Sequence, residues 1–438
     1  MKLKLILTLC FYLLMLSPVI HNCYGQSQLS SLCQIADTSN IQLRKIRIQK
    51  LYNQEEKKSY LSARFPQLNF NADYKYNAKI PGQVVPAAFF GGQPGTYATV
   101  QFGVPYVLSN NLQLSQILFN SQLNYGLAAL KINQEITQIQ ENLTSQEIKY
   151  QIATNFMLYQ SLLLQEKFID SLIIVSKNLK NNIQQLIIQN LKTPIEKKPL
   201  DLVIKELELG KKTIQNNLMV LKEYMLILIG MENTSELDID FDESIFNSFT
   251  TIQNKESYYT LDLIKSQINM IKEEKKGIKM AYLPSINAYG IYNYSYNLKP
   301  DDDFRKGIDG AFIGLRADWN LFDGLQKKNK YKMAQLKESQ LENDLSFTQK
   351  QLEMSKLDAK LKIDLAKQKL SLMEEKQALN RELYEFNVQK YNQYVLGSSE
   401  LMKSLNEYIQ SKNQTTEALY ELRIRELEFL KLIGDLNF

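Results

Sequence analysis

Between Ile308 and Lys330 the segment IDGAFIGLRADWNLFDGLQKKNK changes from period two to a helical period, and this limits the possible folds more than any other feature. Ala311, Ile313, Leu315, Ala317 and Trp319 fall on one face of a strand, and Phe312, Gly314, Arg316, Asp318 and Asn320 on the other. Apolar on one side and charged on the other is the pattern of a strand between two solvents. After Phe322-Asp323-Gly324 the chain is polar and free of Gly and Pro as far as residue 393. At about 1.5 Å per residue such a helix is roughly 100 Å long, too long for one compact domain.

The arrangement occurs twice. A helix over 35–61 leads to Phe65-Pro66, and QLNFNADYKYN then alternates Leu68, Phe70, Ala72, Tyr74 and Tyr76 with polar residues, predicting a strand at 67–77. The Pro- and Gly-rich 80–96 reads as a loop, and 97–108 as a second strand with Ala98, Val100, Phe102, Val104 and Tyr106 on one face. A long helix is expected over 110–190, its seam running through Ile132, Ile136, Ile139 and Leu143 and then Ile148, Ile152, Phe156, Tyr159 and Leu163. Pro194 and Pro199 break it, and a helix over 200–230 returns. An acidic connecting insert, 231–256, separates this first repeat (26–230) from the second (257–438). There a helix leads to Leu283-Pro284, followed by strands at 285–297 and 308–322 and helices at 324–393 and 400–433. Phe65-Pro66-Gln67-Leu68-Asn69 matches Leu283-Pro284-Ser285-Ile286-Asn287, and Leu228-Ile229-Gly230 matches Leu432-Ile433-Gly434.

Residues 1–25 have a basic start, an apolar core too short to span a bilayer, and small residues before Gln26, which predicts a cleaved signal peptide. Acylation at Cys23 is the alternative, on a poor lipobox. Without residues 1–25 the chain has no histidine and one cysteine, Cys33, so most nucleophile–base pairs and metal sites cannot be built. No enzyme activity, catalytic residue, metal or cofactor is expected. With 50 basic against 47 acidic side chains, a net charge of +3, nothing points to nucleic acid. Asp301-Asp302-Asp303 lacks the spacing of a calcium loop, and Gly91-Gly92-Gln93-Pro94-Gly95 lacks the Lys-Ser/Thr of a phosphate loop.

Strands of about 11 residues cross a bilayer when tilted, and in lipid no strand edge stays unpaired. Four strands are too few to close a barrel, so the chain must contribute them to an oligomer: a dimer gives eight and a trimer twelve. Tyr74, Tyr76, Tyr97, Phe102, Tyr292, Tyr294, Tyr296 and Trp319 are candidates for an aromatic girdle facing the membrane. An aromatic sandwich core leaves the long helices unexplained, and a coiled-coil scaffold without a pore leaves the strands unexplained.

Pro66 and Pro284 before the strands, the Trp319-Asn-Leu-Phe-Asp323-Gly324 exit, the Tyr394-Val-Leu-Gly397 turn and the Leu-Ile-Gly unit ends together resemble the TolC-like outer-membrane efflux family. The resemblance covers essentially the whole chain after residue 25. It implies a mainly α chain with a small β part, forming a homotrimeric, twelve-stranded barrel in the outer membrane continued by an α-helical periplasmic tunnel. It also implies a passive duct for efflux or type I secretion, with a periplasmic adaptor and an inner-membrane transporter as partners. The periplasmic tip then lies at 191–199 and 394–400, with Gly397 expected at positive φ. Two aspartates that form acidic rings in the family's best-known pattern align with Lys403 and Asn406, so that ring does not carry over. Glu400 is placed to pair with Lys403 or leave a cationic ring, and the bland reading is an ordinary solvated helix pair.

Overall fold

The computed structural model describes residues 28–231, 239–241, 258–393 and 395–436. The segment 1–25 with Cys23, Tyr394, and the insert apart from 231 and 239–241 lie outside the described residues. The helices are α1 (Gln28–Ser39), α2 (Ile41–Ser62), α3 (Ser121–Ile188), α4 (Lys198–Ile229), α5 (Tyr259–Met280), α6 (Gln326–Asn392) and α7 (Ser398–Ile433). The strands are β1 (Gln67–Tyr76), β2 (Gly82–Pro86), β3 (Tyr97–Gln101), β4 (Tyr106–Phe119), β5 (Ser285–Lys299) and β6 (Phe304–Asp318). The chain divides into two compact units. One takes the chain to Arg47, Gln140–Thr260 and the chain from Thr348; the other takes Ile48–Ile139 and Leu261–Phe347.

The second unit holds an antiparallel sheet in the order β1-β4-β5-β6. Its second strand differs from the expected one. Residues 97–101 pair with 82–86 in a separate two-stranded hairpin, and the strand beside β1 is 106–119, where a helix from 110 was expected. Leu108 and Leu112, and Leu114 and Leu118, are each four apart, a spacing shared by a helix face and by alternate positions of a strand. Ser109, Asn111, Gln113 and Ser115 between them belong to the strand reading. The matching segments Leu118-Phe119-Asn120-Ser121 and Leu321-Phe322-Asp323-Gly324 lead from strand to long helix, β4 ending at Phe119 and β6 at Asp318. β6 also starts earlier than expected and stops at Asp318, so Trp319 lies just beyond the strand.

In the helical unit, Leu29, Leu32 and Ala36 of α1 are buried with Ile152, Phe156 and Met157 of α3, Met225 and Ile229 of α4, and Leu427 and Ile433 of α7. Gly230 and Gly434 end α4 and α7 at φ 74° and 77°, the left-handed geometry that favours glycine. Asn40 caps α2, its Oδ1 accepting the Gln42 and Leu43 amides at 2.8 and 3.2 Å, while its Nδ2 donates to Leu228 O at 2.6 Å. The end of α4 is thereby fixed to the α1–α2 junction. Cys33 is buried in this core, and that burial pushes its thiol up to about 12, with Lys149 opposing and Asp37 adding to the shift. Of the insert, Ile239 is buried and Asp240 O accepts from Gln160 Nε2 at 2.8 Å.

Candidate functional site: the sheet and the helix turns

Residues directly opposite in antiparallel strands share a face, so the register fixes what each side of the sheet carries. One face takes Phe70, Leu112, Tyr292 and Ala311 in one row and Tyr74, Leu108 and Tyr296 in another. The opposite face takes Asn71, Asn111 and Asn293 in one row and Asp73, Ser109 and Ser295 in another. The distribution of exposure is inverted relative to a water-soluble sheet. Along β4, Leu108, Leu112, Leu114 and Leu118 are exposed while Ser109, Asn111, Gln113 and Ser115 are half-buried. Ile313 in β6 is 93% exposed. In the central strands the polar face is the more covered one and the apolar face the more open. A surface of that kind requires an apolar medium.

Tyr74, Tyr76, Tyr292, Tyr294 and Tyr296 all lie on the apolar face, and Tyr106 joins them, stacked on Tyr76 with ring centroids 4.9 Å apart. Tyr106 is absent from the expected girdle, although the expected strand 97–108 contains it. Tyr97 and Phe102 are exposed but lie outside the four-stranded sheet, in and just after the small hairpin. Trp319 donates its indole N–H to Tyr282 O at 2.8 Å, joining the exit of β6 to the approach to β5.

Each strand passes to its long helix through a side-chain cap. Asn120 Oδ1 accepts the Gln122 and Leu123 amides at 2.9 and 3.3 Å, and Asp323 Oδ2 accepts the Lys327 amide at 3.0 Å. Gly324 (φ 66°) turns the chain at the second junction. Pro66 and Pro284 each immediately precede a strand, β1 and β5.

The helix turns lie in the other unit. α3 ends with Asn190 at φ 59°, Leu191 N–H bonded to Leu186 O, and a Thr193–Glu196 capping box around Pro194. Lys192 pairs with Glu196 at 2.8 Å and stands 5.1 Å from the ring centre of buried Tyr391. Pro199 lies in the first turn of α4. α6 ends with the same reach-back, Val395 N–H to Lys390 O at 3.0 Å. Gly397 is not at positive φ as expected: φ is −77°, and it is the extended residue that starts α7. Among the described residues of the two turns the left-handed one is Asn190, whose side chain tolerates that conformation.

Ser398, Leu401, Met402 and Leu405 form the buried side of α7, packed against the start of α4. Glu400, Lys403 and Asn406 fall on its exposed side, and Glu400 forms no ion pair with Lys403. Both extend into solvent, where an i,i+3 pair contributes little. α3 and α4 are joined by three cross-helix ion pairs, Lys177–Glu208, Lys180–Asp201 and Lys211–Asp170. α6 and α7 share Lys369–Glu421, and nearer the turn Tyr384 stacks on Tyr408 at 6.0 Å. Burial pushes the Tyr384 hydroxyl above its ordinary range, with Tyr408 adding to the shift.

No metal-binding group of three or more His, Cys, Asp or Glu occurs among the described residues, and none of the described helices is long and apolar enough to cross a membrane. No protein-family description and no curated protein sequence matches the chain. Solved structures do. CusC, a transmembrane channel, is similar over 94% of this chain and 95% of its own, with a TM-score of 0.74 and 12% identity. VceC, an outer-membrane protein of Vibrio cholerae, covers 93% and 96% at TM-score 0.70 and 12% identity. The MtrE outer-membrane channel of Neisseria gonorrhoeae covers 93% and 89% at TM-score 0.71 and 11% identity. With identities this low the likeness is one of fold: the chain has the TolC-like fold of the outer-membrane efflux channels.

Proposed function

We propose that this chain is the passive exit duct of an efflux or secretion assembly, anchored in the outer membrane as a homotrimer and reaching into the periplasm. The observation that carries the reading is the inverted sheet with two free edges, β1 and β6. Its apolar face matches outer-membrane lipid, and its unpaired edges are intolerable there unless a second copy pairs with them. Three copies supply twelve strands, enough to close around the amide-lined face and give a wet lumen. A periplasmic adaptor and an inner-membrane transporter complete the path and supply the energy, since the chain carries no nucleotide or cofactor motif. The signal peptide delivers it across the inner membrane.

The turns at 191–199 and 394–400 are the periplasmic tip, and the tip loops 191–200, with Pro194 and Pro199, and 394–406 close the tunnel as its gate. Glu400, Lys403 and Asn406 stand unpaired on the exposed side of α7, and in a threefold assembly Lys403 forms a ring of positive charge. Rings of charged side chains set the ion preference of a pore. Lys403→Asp is expected to raise the cation-to-anion permeability ratio roughly threefold or more in planar bilayers. A ratio unchanged from wild type would remove Lys403 from the conduction path.

A further inference from the structure

The groove between α5 and α6 carries a local excess of positive charge that the duct function leaves unused. Its volume is about 390 Å³, and Lys272, Lys275, Lys276 and Lys279 line it against only two carboxylates, Glu273 and Glu338. Lys275 is taken by Glu338, and Lys276 by Glu273 at 2.6 Å. Lys272 and Lys279 have no carboxylate partner among the described residues. They are two helical turns apart on one exposed face of α5, about 10 Å along its axis. The Tyr331 ring stands beside them, 5.3 Å from Lys279 Nζ.

The side on which this groove opens follows from its neighbours. A larger cavity of about 1250 Å³ is lined by Ser285 and Asp318, which belong to the polar face of the sheet, and by Glu274, Ile278 and Lys330. Those helical positions lie opposite Lys272, Lys276 and Lys279 on α5 and away from Tyr331 on α6. The lysine groove therefore opens on the side of the sheet's apolar face. Just beyond Lys279, Met280 and Tyr282 are exposed, and the chain enters β5 at Ser285. Ammonium groups without a carboxylate partner and then exposed apolar side chains lie along a few residues of chain, as they do where a protein meets a lipid headgroup and its acyl chains.

We infer that this groove binds the headgroup phosphate of an anionic phospholipid in the periplasmic leaflet of the outer membrane. Lys272 and Lys279 hold the phosphate, and Met280 and Tyr282 lie along the first part of an acyl chain. The inference rests on the outer-membrane reading above. A zwitterionic lipid brings its own cation to the phosphate and gains less from the two free lysines.

The test uses the full-length protein extracted from outer membranes, exchanged into detergent, and titrated with phosphatidylglycerol or phosphatidylcholine under native mass spectrometry. Phosphatidylglycerol is expected to be retained preferentially, and Lys272→Gln with Lys279→Gln to weaken it roughly 30-fold, two lysines' worth of surface attraction. Lys330→Gln with Lys337→Gln, which line the opposite cavity, should leave it unchanged. Equal retention of both lipids, an unaffected double variant, or complete displacement by 10 mM inorganic phosphate (a free-anion site) would each overturn the inference. A protein that fractionates away from the outer membrane contradicts the duct reading itself, whereas an outer-membrane trimer indifferent to phosphatidylglycerol contradicts only the lipid site.

Discussion

Leu112→Lys is expected to remove the protein from the outer membrane, while Asn111→Lys, one residue earlier in the same strand, leaves its amount within about twofold of wild type. Leu112 lies in the middle of β4, in a row with Phe70, Tyr292 and Ala311 on the exposed apolar face. A lysine at the depth of the bilayer midplane costs about 2–4 kcal/mol. In a homotrimer that cost is incurred once per chain, enough to reduce assembled protein more than tenfold. Asn111 belongs to the amide row with Asn71 and Asn293, opposite Gly310 across β5, on the face that the duct reading turns to a wet lumen. Immunoblots of separated membranes compare the two variants directly. Equal loss of both would mean that the two faces do not meet different solvents.

Gly230→Val is the second large effect and lies in the helical unit. Gly230 adopts φ 74°, and a Cβ there would overlap Ser39 O and approach Ser39 C to 2.7 Å. The left-handed backbone costs a side chain roughly 1–2 kcal/mol, and overpacking adds about 1–3 kcal/mol. The expected loss is therefore about 3 kcal/mol, seen as an earlier thermal loss of helical circular dichroism and faster cleavage by added protease. The overlap also separates Leu228 O and Ile229 O from Asn40 and Ser39, which hold α4 to the start of α2. Gly397→Val is the matched control. Gly397 is extended at φ −77°, with open space within 4 Å of where a Cβ would stand, and the variant should melt like wild type. Melting of the two variants together would assign the effect to something other than this junction.

Much of the fold was legible because period two and period 3.6 are hard to confuse over long runs. β1 shows this, with Leu68, Phe70, Ala72, Tyr74 and Tyr76 alternating with amides and charges. β4 was hidden because its leucines at 108, 112, 114 and 118 suit either period and run directly into a true helix. The repeat held the correction, since Phe119-Asn120 and Phe322-Asp323 both end in a side chain that caps the following helix. Gly397 differs for another reason: a glycine at a helix turn suggests positive φ, but this one is extended and starts α7. The lysine groove depends on α6 bringing Tyr331 and Glu338 against α5. The spacing of Lys272, Lys276 and Lys279 along one face is visible in the sequence, but which of them lacks a carboxylate is not.

The most direct test of the duct is the mass of the protein extracted in detergent from a fractionated outer membrane. A trimer with β-structure that resists SDS is predicted, because only paired edges allow β1 and β6 to remain in lipid. A soluble monomer or dimer would contradict it, and the chain would then be a coiled-coil scaffold whose strands never cross a membrane.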